Sequence, residues 1–521
     1  MTTVIVGAGT AGCALAARLS EEPDRHVVLI EAGVSGPEIP AELRDAASIR
    51  GAMPGHPANW SFLGQLTPEL AYTVVRGKVV GGSSAINGGY FIRARRTDHD
   101  SWSDVGGRRW EYENALPVWR DLESDRDFAA SDVHGGTGPV PVKRPEPGRL
   151  AQAFRGAAQS RGHRLEPDKN GEQPPGVGPV PSNIIDGVRV SAAMSYLAPH
   201  RGSARLNLMP RTTVGRIVFE GSRAVGVETS RGVIRGEEIV LAAGAIGSAR
   251  ILLASGIGMP EDLEKLGIRV RSGVPVGAAF SDHPDISLSW QPEGPLFDAD
   301  ERFAFPEALN IDSGEHPEGD LELLLSVKPL GYLLTGSLRL RDGMTAGLRH
   351  PVRSLRAVAG ISGRRAAAQI AHRDDLPLIV GLQAPTGRGR LSLRDADPSA
   401  PPRIEYRYLE EESDLSRLGA GIREAVALVE HMGGRVTEIA AADLDSDVAL
   451  NAWMRSHLGT AIHMCGTAPM GPVVDGAGRV HGIEGLRVAD TSILPVVPAR
   501  GPAASAVLVG EIIARAMRDD D

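Results

Sequence analysis

The sequence predicts an α/β fold built around a dinucleotide-binding unit, and three observations near the N-terminus predict it. A β-branched run, Val4–Val6, is followed at once by the glycine pattern Gly7-x-Gly9-x-x-Gly12. An alanine- and leucine-rich helical stretch, Ala11–Ser20, comes next, and a second apolar strand, Val27–Ile30, is followed by the acidic residue Glu31. A strand, a glycine turn, a helix and a strand in this order form the βαβ unit on which dinucleotides bind.

Each residue of this unit meets a requirement of such a ligand. Gly7 permits the tight turn, Gly9 lets the backbone approach a pyrophosphate, and Gly12 lets helix and strand pack closely. The pyrophosphate then lies at a helix N-terminus, where free N–H groups and the helix dipole favour negative charge. Glu31 is placed to accept hydrogen bonds from ribose hydroxyls, and its carboxylate disfavours a 2′-phosphate. The unit alone does not distinguish FAD from NAD.

Length and composition limit the remaining possibilities. A chain of 521 residues can bury a sizeable core and should divide into two or more domains. Its hydrophobic fraction of 42% and charged fraction of 23% are typical of a globular protein. The net charge of −9 argues against nucleic-acid binding.

The cysteine count and the lengths of the apolar runs bear on the cellular location of the protein. Cys13 and Cys465 are too few for a disulfide framework and their spacing does not suit a metal site, so we interpret both as buried small residues. A redox role for Cys465 is the alternative. No uncharged apolar run approaches the length of a transmembrane helix, and the first strand begins too early for a signal peptide. We expect a cytoplasmic protein, with peripheral contact at the inner face of the membrane left open.

A second glycine-rich segment, Arg76–Tyr90, reads RGKVVGGSSAINGGY. Gly81, Gly82 and Ser84 offer unobstructed backbone donors and a hydroxyl, as a loop against a phosphate or a flavin ring requires. It is not a Walker loop, because the Gly-Lys-Ser/Thr ending is missing. A plain glycine-rich connection is the alternative.

This segment resembles the first signature of the glucose-methanol-choline (GMC) FAD-dependent oxidoreductases. Further segments resemble the family's other motifs in the family's order, from residue 3 to about residue 516. These segments are Val240–Gly258, Ser281–Pro284, Arg388–Pro398, His463–Gly471 and Gly485–Pro495.

The resemblance implies a Rossmann-like FAD-binding domain built from discontinuous segments, with an inserted α+β substrate-binding domain. Residues 1–285 would form the N-terminal FAD-binding region, and residues 286–454 mainly the substrate-binding domain, with the C-terminal family module starting near residue 381. Residues 455–521 would return to the FAD domain and carry the catalytic histidine. Apolar residues of this last segment fit that return.

FAD is favoured over NAD by an independent observation. The middle of the chain lacks a second strand, Gly-x-Gly-x-x-Gly and helix that could hold a pyridine nucleotide, so we expect electrons to enter bound FAD directly from an organic substrate. We predict no metal site. The implied cofactor-binding residues are Gly7, Gly9, Gly12, Glu31, Gly81, Gly82, Ser84, Asn87, Gly88, Val214, Asp490 and Gly501.

His463 is the candidate general base. The ordinary pKa of histidine, about 6.5, suits proton transfer at neutral pH. In the role that the resemblance implies, His463 takes the hydroxyl proton of an alcohol while the adjacent C–H delivers a hydride to flavin N5, and a carbonyl results. His283 and His481 also fall within family-like motifs, and we interpret both as structural.

The sequence departs from the family pattern at Gly501, where histidine or asparagine is usual. Glycine can neither hold an alkoxide nor share a proton. We predict that the neighbouring Arg500 completes the catalytic pair with His463, as a cation that stabilises the reduced flavin or an acidic substrate. The alternatives are a donor from another loop, His463 acting alone, and a surface or capping role for Arg500.

The C-terminal motifs also resemble one actinobacterial branch of the family, which accompanies the peptide-derived redox cofactor mycofactocin. That resemblance implies a dehydrogenase that reoxidises reduced mycofactocin and passes electrons towards the respiratory chain. An oxygen-using alcohol oxidase that produces peroxide, and a non-redox lyase on the same flavin scaffold, remain alternatives. The identity of the alcohol and of the electron acceptor stays open, because fold does not determine substrate.

One segment reverses the acidic character of the chain. From Lys328 to Arg373 there are nine Lys or Arg residues against one acid, Asp342. Apolar residues between Leu348 and Val358 fall at helical spacing beside three of the arginines. We favour a solvated helix covering the substrate domain. A face that rests on anionic lipid or on an electron-accepting partner is the alternative.

Overall fold

The computed structural model describes residues 1–294, 303–335 and 371–520. The helix predicted between Leu348 and Val358 lies outside the described residues. No helix in the described ranges is both long enough and apolar enough to cross a membrane.

The α-helices of the described ranges are numbered in chain order. They are α1 Thr10–Ser20, α2 Arg96–Gly106, α3 Tyr112–Leu122, α4 Arg149–Ser160, α5 Gly244–Ala254, α6 Pro260–Lys265, α7 Leu330–Thr335, α8 Glu412–His431, α9 Ala441–Leu444, α10 Asp447–His457 and α11 Ala503–Asp520.

The strands are numbered in the same way. They are β1 Thr2–Val6, β2 His26–Ile30, β3 Asn59–Thr67, β4 Leu70–Gly77, β5 Glu123–Asp125, β6 Val140–Val142, β7 Val177–Pro179, β8 Ile184–Ile185, β9 Val188–Arg189, β10 Leu206–Met209, β11 Val214–Glu220, β12 Arg223–Thr229, β13 Gly232–Arg235, β14 Glu238–Leu241, β15 Pro284–Pro292, β16 Glu307–Ile311, β17 Leu321–Leu325, β18 Leu376–Leu382, β19 Arg390–Ser392, β20 Arg403–Glu405, β21 Gly434–Val436, β22 Gly459–Thr460 and β23 Leu486–Val488.

A parallel five-stranded sheet forms the nucleotide-binding core, in the order β10-β2-β1-β14-β23. The predicted strand residues Val4 and Ile5 are fully buried in it, as strands covered on both faces require. Since β2 follows β1 on one side and β14 lies on the other, the direction of strand order reverses between β1 and β14. A crevice at the carboxyl ends of these two strands is where open α/β sheets bind ligands. The Rossmann-like prediction is confirmed.

The C-terminal segment completes this sheet. β23 pairs with β14 in parallel register, and α11 packs against α1. The two helices approach closely at Gly510, where a Cβ would lie 2.5 Å from the carbonyl oxygen of Ala11. The last strand and helix therefore join the nucleotide core although nearly the whole chain separates them from β1.

A second sheet has the strand order β21-β15-β18-β17-β16-β7, with β22 also paired to β15. Helix α8 covers one face, where Leu321 approaches Gly421. Asn310 and Glu322 are paired opposite each other in β16 and β17, and both side chains bond groups of the site described below. This antiparallel sheet with its helix is the α+β unit that the sequence predicted.

Candidate active site

The first glycine turn is fixed by close backbone contacts at the crevice. Gly7 has a φ of 108°, and a Cβ there would overlap the carbonyl of Ala242 at the end of β14. A Cβ on Gly12 would overlap the carbonyl oxygen of Gly7, so the helix can pack on the strand only without a side chain at this position. At Gly9, by contrast, a Cβ would meet nothing closer than 3.9 Å, so the space in front of the turn is open.

The second glycine segment lies directly against the first. Gly82 has a φ of 55°, and a Cβ there would lie 2.6 Å from the Cα of Gly9. The Ser84 hydroxyl donates to the carbonyl of Gly81 at 2.6 Å and accepts from the backbone N–H of Ala192 at 2.9 Å. This hydroxyl therefore shapes the loop itself. The two glycine segments together form a cradle lined by backbone.

The same loop continues past the predicted ligands Asn87 and Gly88. The Asn87 side-chain oxygen accepts from the N–H of Gly89 at 3.0 Å, which fixes the turn. A Cβ on Gly88 would lie 3.4 Å from the ring of Phe305. The loop thereby reaches the second sheet.

Glu31 lies at the edge of the crevice and is almost fully buried. One carboxylate oxygen accepts from the N–H of Ala8 at 3.1 Å, and the other from the N–H of Gly33 at 2.8 Å. Burial raises the pKa of Glu31 to about 7. The backbone N–H of Ala32 is a third donor to this carboxylate, which still leaves acceptor capacity for a ribose hydroxyl.

Asp490 ties the C-terminal segment to α5. One oxygen accepts from the N–H of Gly244 at 2.8 Å and the hydroxyl of Ser248 at 2.5 Å, while the other accepts from the N–H and hydroxyl of Ser492. Burial raises the pKa of Asp490. With all four bonds made inside the protein, the side chain holds the N-terminus of α5 at the crevice.

The other predicted ligand of this region, Val214, begins β11, and its carbonyl accepts from Arg250 at 3.2 Å.

These residues fit an FAD. Two backbone-lined glycine turns meet at the carboxyl end of a parallel sheet, and the position in front of Gly9 is open for a pyrophosphate. The N-cap of α1 is a glycine without a side-chain bond to the first turn, which leaves that turn available to an anion.

His463 is held in place through its backbone. Ile462, the preceding residue, has a φ of 62°, which a β-branched residue rarely adopts. The guanidinium of Arg76 donates to the carbonyl of Ile462, and Asp282 accepts from the N–H of His463 at 2.6 Å. Surrounding contacts that hold a strained residue are typical of functional sites.

The segment after His463 connects it to the crevice. Thr467 donates its hydroxyl to the carbonyl of Ala245 in α5 at 2.7 Å, and the N–H of Gly466 donates to Thr491 at 3.2 Å. The segment that follows the predicted base is thus bonded to the first turn of α5, which comes directly after β14.

His283 lies against the ring of His463, a contact that the sequence did not predict. The Nδ1 atoms of the two rings are 3.0 Å apart, and the rings are perpendicular. The Nε2 of His283 lies 3.0 Å from the carbonyl oxygen of Pro498. Burial lowers the pKa of His283 to about 4, and burial, His283 and Arg76 together lower the pKa of His463 well below its usual range. The only feature of the sequence that could have indicated this contact was the Asp-His-Pro motif that contains His283.

Gly501 also lies beside His463, and Tyr90 fills the space where a side chain at position 501 would stand. A Cβ on Gly501 would be 3.0 Å from Cδ1 of Tyr90 and 3.5 Å from Cε1 of His463. The Tyr90 hydroxyl donates to Glu322 at 2.5 Å. The sequence did not single out Tyr90, because only the fold brings it to Gly501.

Arg500 is fully buried, so the surface alternative for this residue is wrong. Its guanidinium donates to Asn310 at 2.7 Å and to Glu166 at 3.3 Å, while its Nε has no hydrogen-bond partner among the described residues. Asn310 in turn donates to Glu322 at 3.2 Å, which links Arg500 to the partner of Tyr90. We call this set the Arg500 network, and its members are Tyr90, Arg95, Glu166, Lys169, Asn310, Glu322 and Arg500.

Both cysteines are buried, as predicted. Burial raises the pKa of the Cys465 thiol well above its usual range, and its sulfur donates to the carbonyl of His463 at 3.2 Å. A thiol in this environment stays protonated, which disfavours the redox alternative. Cys13 is likewise held protonated by burial.

Comparison with protein families matches two segments that together make up most of the chain. The model for the N-terminal GMC oxidoreductase domain matches residues 1–285, and the model for the C-terminal GMC oxidoreductase domain matches residues 385–510.

Individual relatives agree with the family models. A GMC-type oxidoreductase in the thcA 5′ region of Rhodococcus erythropolis is 35% identical over 98% of this chain and 96% of its own length. An oxygen-dependent choline dehydrogenase of Klebsiella pneumoniae is 33% identical over 99% of this chain and 95% of its own length.

Solved structures show the same fold. The pyridoxine 4-oxidase of Mesorbium loti superposes with a TM-score of 0.84 at 25% identity and covers 99% of both chains. The formate oxidase of Aspergillus oryzae has a TM-score of 0.83 at 22% identity over 99% of this chain and 98% of its own, which supports the fold alone. The motif order, the crevice and the whole-chain matches agree, and the chain belongs to the GMC oxidoreductase family.

Proposed function

We propose that this enzyme oxidises a CH–OH group to a carbonyl with FAD as its cofactor and His463 as its general base. The observation that carries the proposal is the position of His463, whose backbone is held by Asp282 and whose ring Nδ1 is engaged by His283. Choline dehydrogenases and a pyridoxine oxidase among its relatives support an alcohol substrate.

The geometry of the residues suits this chemistry. Nε2 of His463 takes the hydroxyl proton of the alcohol, the C–O bond becomes a carbonyl, and the hydrogen on carbon departs as a hydride. FAD, when bound, supplies the acceptor for that hydride. Asp282 and Arg76 hold the base in place, and the lowered pKa of His463 keeps it unprotonated at neutral pH.

The cofactor would be held by the residues that the motifs indicated. In the proposal, Gly7, Gly9 and Gly12 admit the pyrophosphate to α1, and Glu31 accepts from the ribose. Gly81, Gly82 and Gly88 leave backbone open to the ligand, while Ser84, Asn87 and Asp490 shape the segments that surround it. Val214 and Gly501 are the remaining two residues that we propose to contact the cofactor.

Arg500 enters the proposal as a buried cation. Its hydrogen bonds to Asn310 and Glu166 set its position. In the proposal, its positive charge stabilises the negative charge that develops on the reduced flavin or on an acidic substrate. The domain division at residues 285 and 455 belongs to the same proposal.

The finer part of the proposal concerns the electrons. We take the enzyme to be a cytoplasmic dehydrogenase that delivers them to an acceptor other than oxygen, and reduced mycofactocin to be the donor. The C-terminal motifs around Gly501 support this assignment. Peripheral binding of the enzyme to the inner face of the membrane is tested by co-sedimentation with anionic liposomes, and absence of binding at low salt would rule it out.

An anaerobic flavin spectrum tests the function. The purified enzyme is mixed with a panel of alcohols and with reduced mycofactocin, and bleaching of the flavin identifies the donor. Slow recovery in air with fast recovery by a quinone supports a dehydrogenase, whereas rapid recovery with peroxide identifies an oxidase. No bleaching by any of these donors, with turnover of the flavin-oxidised enzyme, would point to a lyase.

His463→Gln is the variant that tests the base. We expect flavin reduction to slow by about 10²- to 10⁴-fold, the usual contribution of general base catalysis. His481→Gln is the matched control, because His481 is an exposed histidine whose ring contacts the carbonyl of Gly471, far along the chain from His283. Equal rates in the two variants would remove His463 from the mechanism.

A further inference from the structure

His283 occupies a buried position between the proposed base and a backbone carbonyl. Its side chain is fully buried, and the backbone carbonyls of Pro498 and Gln383 both lie at its ring. Nε2 lies 3.0 Å from the carbonyl oxygen of Pro498, and Nδ1 lies 3.0 Å from Nδ1 of His463. The backbone N–H of His283 donates to the carboxylate of Asp282 at 2.8 Å, and the backbone N–H of His463 donates to the same carboxylate.

These partners determine where the protons are. A carbonyl oxygen can only accept, so Nε2 of His283 must carry a hydrogen. In a neutral imidazole the other nitrogen then has a lone pair, and Nδ1 of His283 acts as an acceptor. The short contact between the two Nδ1 atoms consequently requires the hydrogen to be on Nδ1 of His463. Its Nε2 is left with a lone pair, and no described residue forms a hydrogen bond to that atom.

We infer that His283 is a positioning residue that holds His463 in the Nδ1–H tautomer, so that Nε2 can receive the substrate proton. The inference rests on the proposed role of His463 as base. In the opposite tautomer Nε2 would carry a hydrogen and the ring would be a donor, unable to take a proton from an alcohol.

The surroundings support a neutral pair. Burial disfavours the imidazolium form of both rings, and the Arg76 guanidinium adds a positive charge nearby. When His463 accepts the substrate proton, its Nδ1–H remains bonded to the lone pair of His283. His283 thus orients the base without itself contacting the substrate, as the third member of a catalytic triad does.

Nitrogen NMR tests the tautomer independently of activity. In FAD-loaded enzyme labelled with ¹⁵N-histidine, His99 should give one neutral pair of signals with a protonated Nδ1, because its Nδ1 faces the carbonyl of Trp110 and its Nε2 accepts from Trp119. We expect His463 to give a second such pair, with a protonated Nδ1 and an unprotonated Nε2. That pair of signals should vanish in His463→Gln. Detection of His463 as the Nε2–H tautomer in the wild-type enzyme would overturn the inference whatever the substrate proves to be.

Two substitutions at position 283 separate hydrogen bonding from packing. His283→Gln offers an oxygen that can accept from His463 and an amide that can donate to Pro498, whereas His283→Leu fills the space and can do neither. We expect His283→Leu to lose the Nδ1–H tautomer signature and to slow flavin reduction about 10- to 100-fold, the usual range for orienting partners. His283→Gln should retain the signature and most of the rate.

His481→Leu is the control, with FAD content and melting temperature measured for every variant. It should leave the tautomer and the rate of flavin reduction unchanged. If His283→Leu and His283→Gln show the same tautomer and the same rate at equal FAD content, His283 has no positioning role. If the NMR result holds while no alcohol reduces the flavin, the proposed reaction is wrong and the tautomer assignment stands.

Discussion

At the scale of single residues, the acid–base properties of the site follow from burial. His463 is surrounded by groups that disfavour a positive charge, namely the protein interior, His283 and Arg76, and its pKa falls. Glu31 experiences the same desolvation as an acid, so its pKa rises. The pKa of the histidine falls and the pKa of the glutamate rises for the same reason, because burial favours the neutral form of each group.

The lowered pKa of His463 predicts the pH dependence of flavin reduction. A base with a depressed pKa stays unprotonated as the pH falls through 6.5, the ordinary value for histidine, so the rate should hold from about pH 8 to about pH 6. Anaerobic stopped-flow measurements with a saturating donor would show this plateau. Loss of half the rate at or above pH 6.5 would contradict it.

Glu31 should determine how well FAD is retained. Glu31→Ala removes the acceptor of the Ala8 and Gly33 N–H groups, and each buried unpaired donor costs about 1–3 kcal/mol. We expect the variant to purify with less flavin per protein and to bind added FAD at least about tenfold more weakly. Glu228→Ala, at an exposed position in β12, is the control and should keep its flavin.

At the scale of elements, the site depends on how three segments meet. The loop that carries Tyr90, the segment Pro498–Gly501 and strands β16 and β17 are joined by the Arg500 network. The network anchors Arg500 and, through Glu322, the hydroxyl of Tyr90. Because the network bonds Tyr90 at one end and Arg500, the neighbour of Gly501, at the other, it holds the Tyr90 ring against Gly501, next to His463.

This arrangement predicts a compensating pair of substitutions. Gly501→Asn should place a side chain against the Tyr90 ring, and overpacking of this kind costs about 1–3 kcal/mol. We expect Gly501→Asn to slow flavin reduction at least about tenfold in the wild-type background. In Tyr90→Ala, which removes the ring, the same substitution should have a much smaller effect.

A double-mutant cycle measures this coupling, with FAD content as the check on folding. Additive effects of the two substitutions would show that Tyr90 and position 501 do not compete for space. Tyr90→Phe is the matched control, because it keeps the ring and removes only the hydroxyl that donates to Glu322. It should leave the penalty of Gly501→Asn in place.

At the scale of the whole molecule, a buried ionic cluster joins five stretches of the chain between Arg93 and Asp168. His134 lies between the carboxylates of Glu123, Asp125 and Asp168, at 2.7, 3.2 and 2.8 Å. Arg93 pairs with Glu123, and Arg144 with Asp125 and Asp168. Three of these residues have the spacing of a metal site, but three carboxylates already face three cations. We interpret the cluster as self-neutralised and structural.

The cluster predicts how stability depends on pH. Burial acts to lower the pKa of His134, but its bonds to Asp125, Asp168 and Glu123 outweigh this and raise the pKa to about 10. A raised histidine pKa contributes stability that is complete below about pH 6.5 and is lost as the pH rises through about 10. His134→Gln should therefore lower the melting temperature strongly at pH 6, since breaking a buried ion pair costs about 3–5 kcal/mol.

The difference between wild type and His134→Gln should narrow as the pH approaches 10. Melting temperatures measured across this range would show it, and a constant difference would mean that His134 is not charged in the folded protein. His26→Gln, at an exposed position, is the control and should change little at any pH.

The sequence by itself determined the nucleotide core. The run Val4–Val6, the glycine turn and Glu31 are local, and each requirement of the turn is met by residues within about thirty positions of one another. The structure places β1, α1 and β2 within a residue or two of the predicted bounds. His463 was predicted because a motif marks it.

Only the tertiary structure decided what surrounds that base. His283, Tyr90 and Arg500 come from three distant parts of the chain. The motif alignment placed Arg500 with the base, but no periodicity or spacing in the sequence predicts which partners these three side chains contact. The contact of His283 with His463 joins residues separated by 180 positions, and that of Arg500 with Glu166 joins residues separated by 334. Local patterns encode turns and strands through backbone sterics, whereas the partners of a buried polar group depend on how whole elements pack. The folded chain therefore decides the tautomer of the base, the burial of Arg500 and the occupant of the space beside Gly501.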